Sequence, residues 1–172
     1  LTSGGVSVGE EDHIKPAVEQ LGQLDVWQIA MKPGKPFAYG HVGRPDGGQT
    51  HFMGLPGNPV SSAVGLRFFI EPALRQAYGQ AQQRPWRLPL LHPFRKKAGF
   101  RLHQKAVVSL NGSGQLAVAL MAGQESFKIK PLVSANAWAI LPESELDLQE
   151  GALTDVLPLD HEIPAAFEWM TA

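Results

Sequence analysis

The sequence predicts an α/β domain built on a layered sheet over residues 1–80, followed by a small all-β, barrel-like domain over residues 85–172. Three observations carry that prediction. The first half alternates glycine-rich turns with helical and strand-like patterns. The second half, from about Arg87, reads as short strands broken by Gly, Pro and Asn. Between them GQAQQRP is polar, has no hydrophobic period and ends in a proline that stops a helix, so Gly79 to Pro85 reads as a linker.

Each element follows from its own residues. Ile14, Ala17, Val18 and Leu21 keep helical spacing, Pro16 is tolerated in a first turn, and Gly22 suits a left-handed C-cap, giving a helix over 13–21. DVWQIAM, PFAYGHV and THFMGL read as strands, the last two joined by the turn-rich GRPDGG. After the loop LPGNP, Asn58 suits an N-cap and Pro59 the first helical position. Val60, Ala63, Val64, Phe68 and Ile70 then form a buried stripe, and Pro72 should kink or divide the helix before Gly79. In the second half, QKAVVSL and QLAVALM flank NGSG, so residues 104–121 form a hairpin. SANAWAILP and ALTDVLPL supply two further strands of a small antiparallel barrel or sandwich.

Composition limits the function. With 172 residues and 44% apolar content the chain can close a core in either one large or two small domains. Lys plus Arg number 15 against 16 Asp plus Glu, which leaves no broad basic face for nucleic acid or anionic lipid. Any anion site must therefore be local. The apolar runs are too short for the ~20 residues that span a bilayer, so neither nucleic acid nor membrane is expected as a partner. Zero cysteines exclude thiol nucleophiles and fit a reducing compartment, with the cytoplasm as the default.

The local anion site is where the glycines gather. SGGVSVG lets several backbone N–H groups converge on one spot, and a helix N-terminus follows directly. Ser3, Gly4, Gly5, Ser7 and Gly9 are the candidate cradle; an ordinary tight turn is the plain alternative. KPGKP frames Lys32 and Lys35 with Pro33, Gly34 and Pro36, a stiff presentation that lowers the entropy cost of gripping an anion. Two surface lysines without such framing would usually be solvated and inert. LPGNP, with Pro56 and Asn58, is a second stiff loop. Asp12 suits a helix cap, a bound cation or an amide-rich ring, and spacing leaves these open.

SGGVSVGEED, KPGKPFAYG and GLPGNPVSS, in that order, resemble the molybdopterin molybdenumtransferase family, represented by bacterial MoeA and the gephyrin E domain. The motifs are similar to the family's third domain, and the hairpin region with GQES and SANAW to its fourth. The resemblance implies part of a three-layer α/β/α molybdopterin-binding domain, then a β-barrel-like C-terminal domain. Because Leu1 opens without a Met or a lead-in, the chain reads as the C-terminal part of a longer protein, inactive alone.

What the resemblance implies is insertion of molybdenum from molybdate into adenylylated molybdopterin, with Mg²⁺ assistance and release of AMP, by a homodimer. Asp12, Lys32 and Lys35 then become the catalytic candidates, Asp12 also a Mg²⁺ ligand. Ser3, Gly4, Gly5, Ser7, Gly9, Pro33, Gly34, Pro56, Asn58, Lys105 and Ser126 become the substrate-binding candidates. Gln28 stands where relatives often carry lysine, Lys105 where arginine is common, and Glu125 where a smaller residue is usual. Three other functions fit part of the pattern. They are a molybdopterin adenylyltransferase, a non-catalytic partner-binding scaffold, and a generic sugar- or nucleotide-phosphate binder.

Overall fold

A computed structural model describes residues 1–7 and 12–159. Two compact units make up the chain, one over Leu1–Gln82 and one beginning at Gln83.

The first unit is a mixed sheet between two helical layers. Its elements are β1 (Thr2–Ser3), α1 (Ile14–Leu21), β2 (Gly22–Trp27), β3 (Met31–Lys32), β4 (Ala38–Gly43), β5 (Gln49–Leu55), α2 (Pro59–Gly65) and α3 (Glu71–Ala77). The sheet runs in the order β1-β5-β4-β2, with β1 parallel to β5 and the other pairs antiparallel. Alternation along β4 and β5 sends successive side chains to opposite faces. Ala38 and Phe52 pack with Val6 and with Val18 and Ile14 of α1 on one face. Tyr39, Met53 and Leu55 pack with Phe37, Phe69 and Ile70 on the other. Helices thus cover both faces, as expected for a three-layer α/β/α unit.

Three local expectations are corrected. Gly22 is not a left-handed cap: its φ of −179° is ordinary extended backbone that already belongs to β2. The glycine is needed for another reason, since a Cβ there would lie 1.9 Å from the His41 carbonyl oxygen on β4. The second strand starts three residues before Asp25 and stops at Trp27, because Gln28 turns the chain at φ 67°. Finally, Pro72 does not end the helix, although the α-helical ladder is interrupted just before it. A π-helical turn over Leu66–Ile70 joins α2 to α3, and its wider ring absorbs the missing N–H of the proline in the first turn of α3. Glu71 accepts from Arg67 (2.7 Å) and Arg75 (2.9 Å) and braces this junction.

The second unit contains β6 (Trp86–Pro89), β7 (Phe94–Arg95), β8 (Arg101–Leu110), β9 (Leu116–Leu120), α4 (Lys130–Ser134), β10 (Ala137–Leu141), β11 (Asp147–Leu148) and β12 (Leu153–Pro158). Antiparallel pairing gives the order β9-β8-β10-β12-β6, and β7 pairs β11. The expected hairpin is β8–β9. Asn111 Oδ1 accepts from the backbone N–H groups of Ser113 (3.0 Å) and Gln115 (2.9 Å), while Gly114 takes φ 77°. Leu88, Leu90, Ala106, Val108, Val118, Ala139 and Val156 fill the core. No continuous ladder closes a barrel among the described residues; one parallel bridge, Leu90 to Val118, brings the chain after β6 beside β9.

Candidate functional site

The first unit's candidate site lies at the carboxyl ends of β1 and β5, two neighbouring parallel strands, where α/β sheets generally bind ligands. Thr2 pairs Gly54 and Ser3 pairs Leu55, so the two chains leave the sheet side by side. The Gly4 N–H donates to the Leu55 carbonyl at 2.9 Å. Gly4 and Gly5 then take φ of 83° and 69°, a conformation that L side chains avoid. Gly57 sits against this turn: a Cβ on Gly57 would lie 3.7 Å from the Gly4 Cα. The hydroxyls of Ser3, at 3.4 Å, and Ser62 both donate to the buried Pro56 carbonyl, which fixes the second loop in place.

KPGKP joins the same neighbourhood through α2. Gly34 is buried at φ 111°, where a Cβ would lie 2.4 Å from Met31 Cε, and it comes within ordinary contact, 3.7 Å, of the Ser61 carbonyl oxygen on α2. Lys32 and Lys35 are exposed on either side of it, and the peptide between Lys32 and Pro33 is cis. The Lys35 carbonyl accepts from Ile29 and Phe37, both at 3.0 Å, so the loop is stapled at its base while its lysines face outward. Ser3, Gly4, Gly5, Pro33, Gly34, Lys32, Lys35, Pro56 and Asn58 thus belong to loops that the fold gathers around the start of α2.

Other candidates are placed differently. Ser7 is exposed just past the glycine turn, and Gly9 lies outside the described residues. Asp12 lies one residue ahead of the N-cap position of α1, which His13 holds without a side-chain capping bond. Asn58 holds the N-cap position of α2 with its carbonyl accepting from Ser62 N–H at 2.9 Å, but its side chain makes no capping bond. Among the described residues no three His, Cys, Asp or Glu side chains converge as a metal cage.

Lys105 and Ser126 belong to the second unit, where Lys105 does something unforeseen. Its side chain is fully buried, and its ammonium donates to the carbonyls of Gly123 (2.7 Å), Lys128 (3.2 Å) and Glu125 (3.4 Å). The Gln124 amide pairs with the Lys105 backbone in both directions, at 2.9 and 2.8 Å. Burial pulls the Lys105 pKa below the usual lysine range, opposed by the nearby Glu125 charge. With three protons given to three carbonyls, this ammonium shapes its own loop instead of gripping an anion. Ser126 is half-buried in that loop; Glu125 is salt-bridged to Lys128 at 2.7 Å, a hydrogen bond that holds its carboxyl below the usual range.

Ser62 and Gly57 are the site residues that sequence reasoning missed. A serine four residues after a Asn-Pro helix start is a readable signal, because that spacing returns a side chain to the preceding loop. Gly57 carried no such signal, since it lies beside the Gly4 turn through the fold and not through its own neighbours in sequence.

Comparison with known proteins agrees with the order of the units. Residues 1–76 match the probable molybdopterin binding domain family, and residues 87–159 match the MoeA C-terminal region, domain IV. The chain is 35% identical to the molybdopterin molybdenumtransferase of Haemophilus influenzae over 94% of its own length and 39% of that protein. It is 32% identical to the enzyme of the same name from Synechococcus elongatus, over 92% of this chain and 38% of the relative. The chain therefore spans about two fifths of the length of these relatives. The crystal structure of the molybdopterin biosynthesis MoeA protein from Pyrococcus horikosii shares the fold, with a TM-score of 0.67 at 22% identity over 94% of this chain and 37% of that one. No helix among the described residues is long and apolar enough to cross a membrane.

Proposed function

Because the chain belongs to the MoeA and gephyrin E-domain family of molybdopterin molybdenumtransferases, we propose that its first unit holds the anionic parts of adenylylated molybdopterin, together with molybdate, while molybdenum enters the dithiolene and AMP leaves. One observation carries the reading: a glycine turn and two Pro-Gly loops meet at the carboxyl ends of β1 and β5 beside the start of α2. The Gly4–Gly5 turn, pinned by the Gly4 N–H bond to Leu55, lets phosphate oxygens approach the backbone closely at Gly5. Lys32 and Lys35 supply the compensating charge from a loop whose backbone is already fixed, so little ordering cost falls on binding.

In this proposal Asp12 suits a Mg²⁺ of the kind held by one carboxylate and substrate phosphate oxygens, which needs no protein-only cage. Such an ion would neutralise charge on the departing phosphate. A homodimer working in the cytoplasm completes the reading, on the strength of the family alone. Lys105 is left out of the proposed set because its ammonium is already spoken for.

Titration of the chain with adenylylated molybdopterin, followed by pterin fluorescence, tests the site. Lys32→Ala should weaken binding about 10- to 100-fold, the scale of one charge-assisted contact. Binding unchanged in a correctly folded Lys32→Ala protein would show that KPGKP only shapes the backbone.

A further inference from the structure

Toward the other end of β5, roughly 15 Å from Pro56 by strand rise, a polar cluster stands apart from the anion site. We infer that Tyr39, His41 and His51 form a binding site for a d-block dication of the zinc or copper class, with Asp25 orienting one imidazole. The pleat builds the cluster. Tyr39 and His41 are two residues apart on β4 and share a face, while His51 sits directly opposite His41 on β5. Asp25 arrives through an irregularity: the β2–β4 register shifts between Leu24 and Val26, so Asp25 is the extra residue of a bulge.

The proton positions follow from donor counting. Asp25 Oδ2 lies 2.7 Å from His41 Nδ1 and Asp25 Oδ1 accepts from the Gln23 amide at 2.7 Å. A carboxylate only accepts, so in the neutral imidazole His41 Nδ1 carries the proton and Nε2 presents a lone pair. Tyr39 Oη lies 3.2 Å from that Nε2 and 3.0 Å from His51 Nδ1. With one proton, the phenol donates to His41 and accepts from His51.

The two edges from Tyr39 are close to a metal site's ligand spacing. Ligands about 2.0 Å from a tetrahedral Zn²⁺ stand about 3.3 Å apart, close to the two N···O edges seen here. Imidazole and phenolate suit the zinc and copper class, whereas Mg²⁺ and Ca²⁺ want oxygen cages. The carboxylate behind His41 is the usual support of a metal-binding histidine. His51 is exposed and gives the ion a way in. On binding, His51 moves its proton from Nδ1 to Nε2, and Tyr39 loses its proton to the buffer as the oxygen coordinates. One proton is released per ion.

The test is isothermal titration of the full chain with ZnCl₂ in two buffers of different ionisation heat. One ion should bind, with about one proton released and no competition from excess Mg²⁺. His41→Ala and His51→Ala should each weaken binding at least tenfold, Asp25→Asn about tenfold, and His92→Ala, an exposed histidine of the second unit, should change nothing. Because Tyr39 and His41 lie within the sheet, a second measurement needs no variant. Substoichiometric Cu²⁺ should broaden the imidazole NMR signals of His41 and His51 before those of other histidines. Absence of binding, binding that survives both histidine variants, or first broadening at another histidine would overturn the site. None of these outcomes bears on the molybdopterin reading, which rests on different residues.

Discussion

The two units treat a lysine in opposite ways. In the first, Lys32 and Lys35 stand exposed on a loop that two prolines, a buried glycine and the hydrogen bonds to the Lys35 carbonyl hold in shape. In the second, Lys105 is sunk in the sheet, and its charge is what organises residues 123–128. The lesson is that a lysine near glycines is not one signal. Stiffness supplied by the backbone sets a cation outward for a ligand; a loop lacking that stiffness draws a cation inward to satisfy its carbonyls.

The comparison breaks most directly at Lys105. Lys105→Met keeps much of the volume but leaves three carbonyls without their donor, and should lower stability by about 3–5 kcal/mol in urea unfolding. A loss below ~1 kcal/mol would place the loop's order elsewhere. Next in size is an acid effect on the same strand. Burial, and then the charge of Arg101, push His103 down to about 4 from 6.5. The folded unit keeps it neutral where the unfolded chain would protonate it. Its contribution is therefore complete above pH 6.5 and is lost as pH falls from 6.5 towards 4, about 3 kcal/mol in all. Melts of wild-type and His103→Gln protein at pH 7.5 and 4.5 should show a shallower acid loss in the variant; equal slopes would rule the residue out. The smallest effect sharpens the contrast: Lys32→Ala should change stability by no more than about 0.5 kcal/mol, and a larger drop in urea unfolding would mean that KPGKP depends on its charge to hold its shape.

Sequence made the elements legible wherever the cause was local. Asn58-Pro59 marks a helix start, Asn111 and Gly114 a hairpin turn, and alternating residues around Tyr39 and Met53 a strand covered on both faces. The three candidate loops were also readable, the first from its glycines and the other two from their Gly and Pro. Their meeting at one place was not derivable from spacing and entered through family resemblance. Features made by distant partners stayed hidden. Gly22 looked like a cap because its real constraint, the His41 carbonyl, lies nineteen residues on in the chain. Pro72 marked the disturbance of the helix, but its form, a π turn, leaves no compositional mark. Lys105 looked like a ligand because its acceptors are backbone atoms 18 to 23 residues away, and every residue type has those.

Carbonyl oxygens aimed at one centre are how proteins coordinate soluble cations such as potassium or calcium. At Gly123, Glu125 and Lys128 the ion is instead covalently attached, and its effective concentration is set by the chain and not by the medium. Dialysis cannot strip it, a chelator cannot extract it, and exchanging one salt for another leaves its occupancy unchanged. The GQES loop is in effect permanently loaded, so that its shape is inherited with the sequence and never has to be acquired from solution.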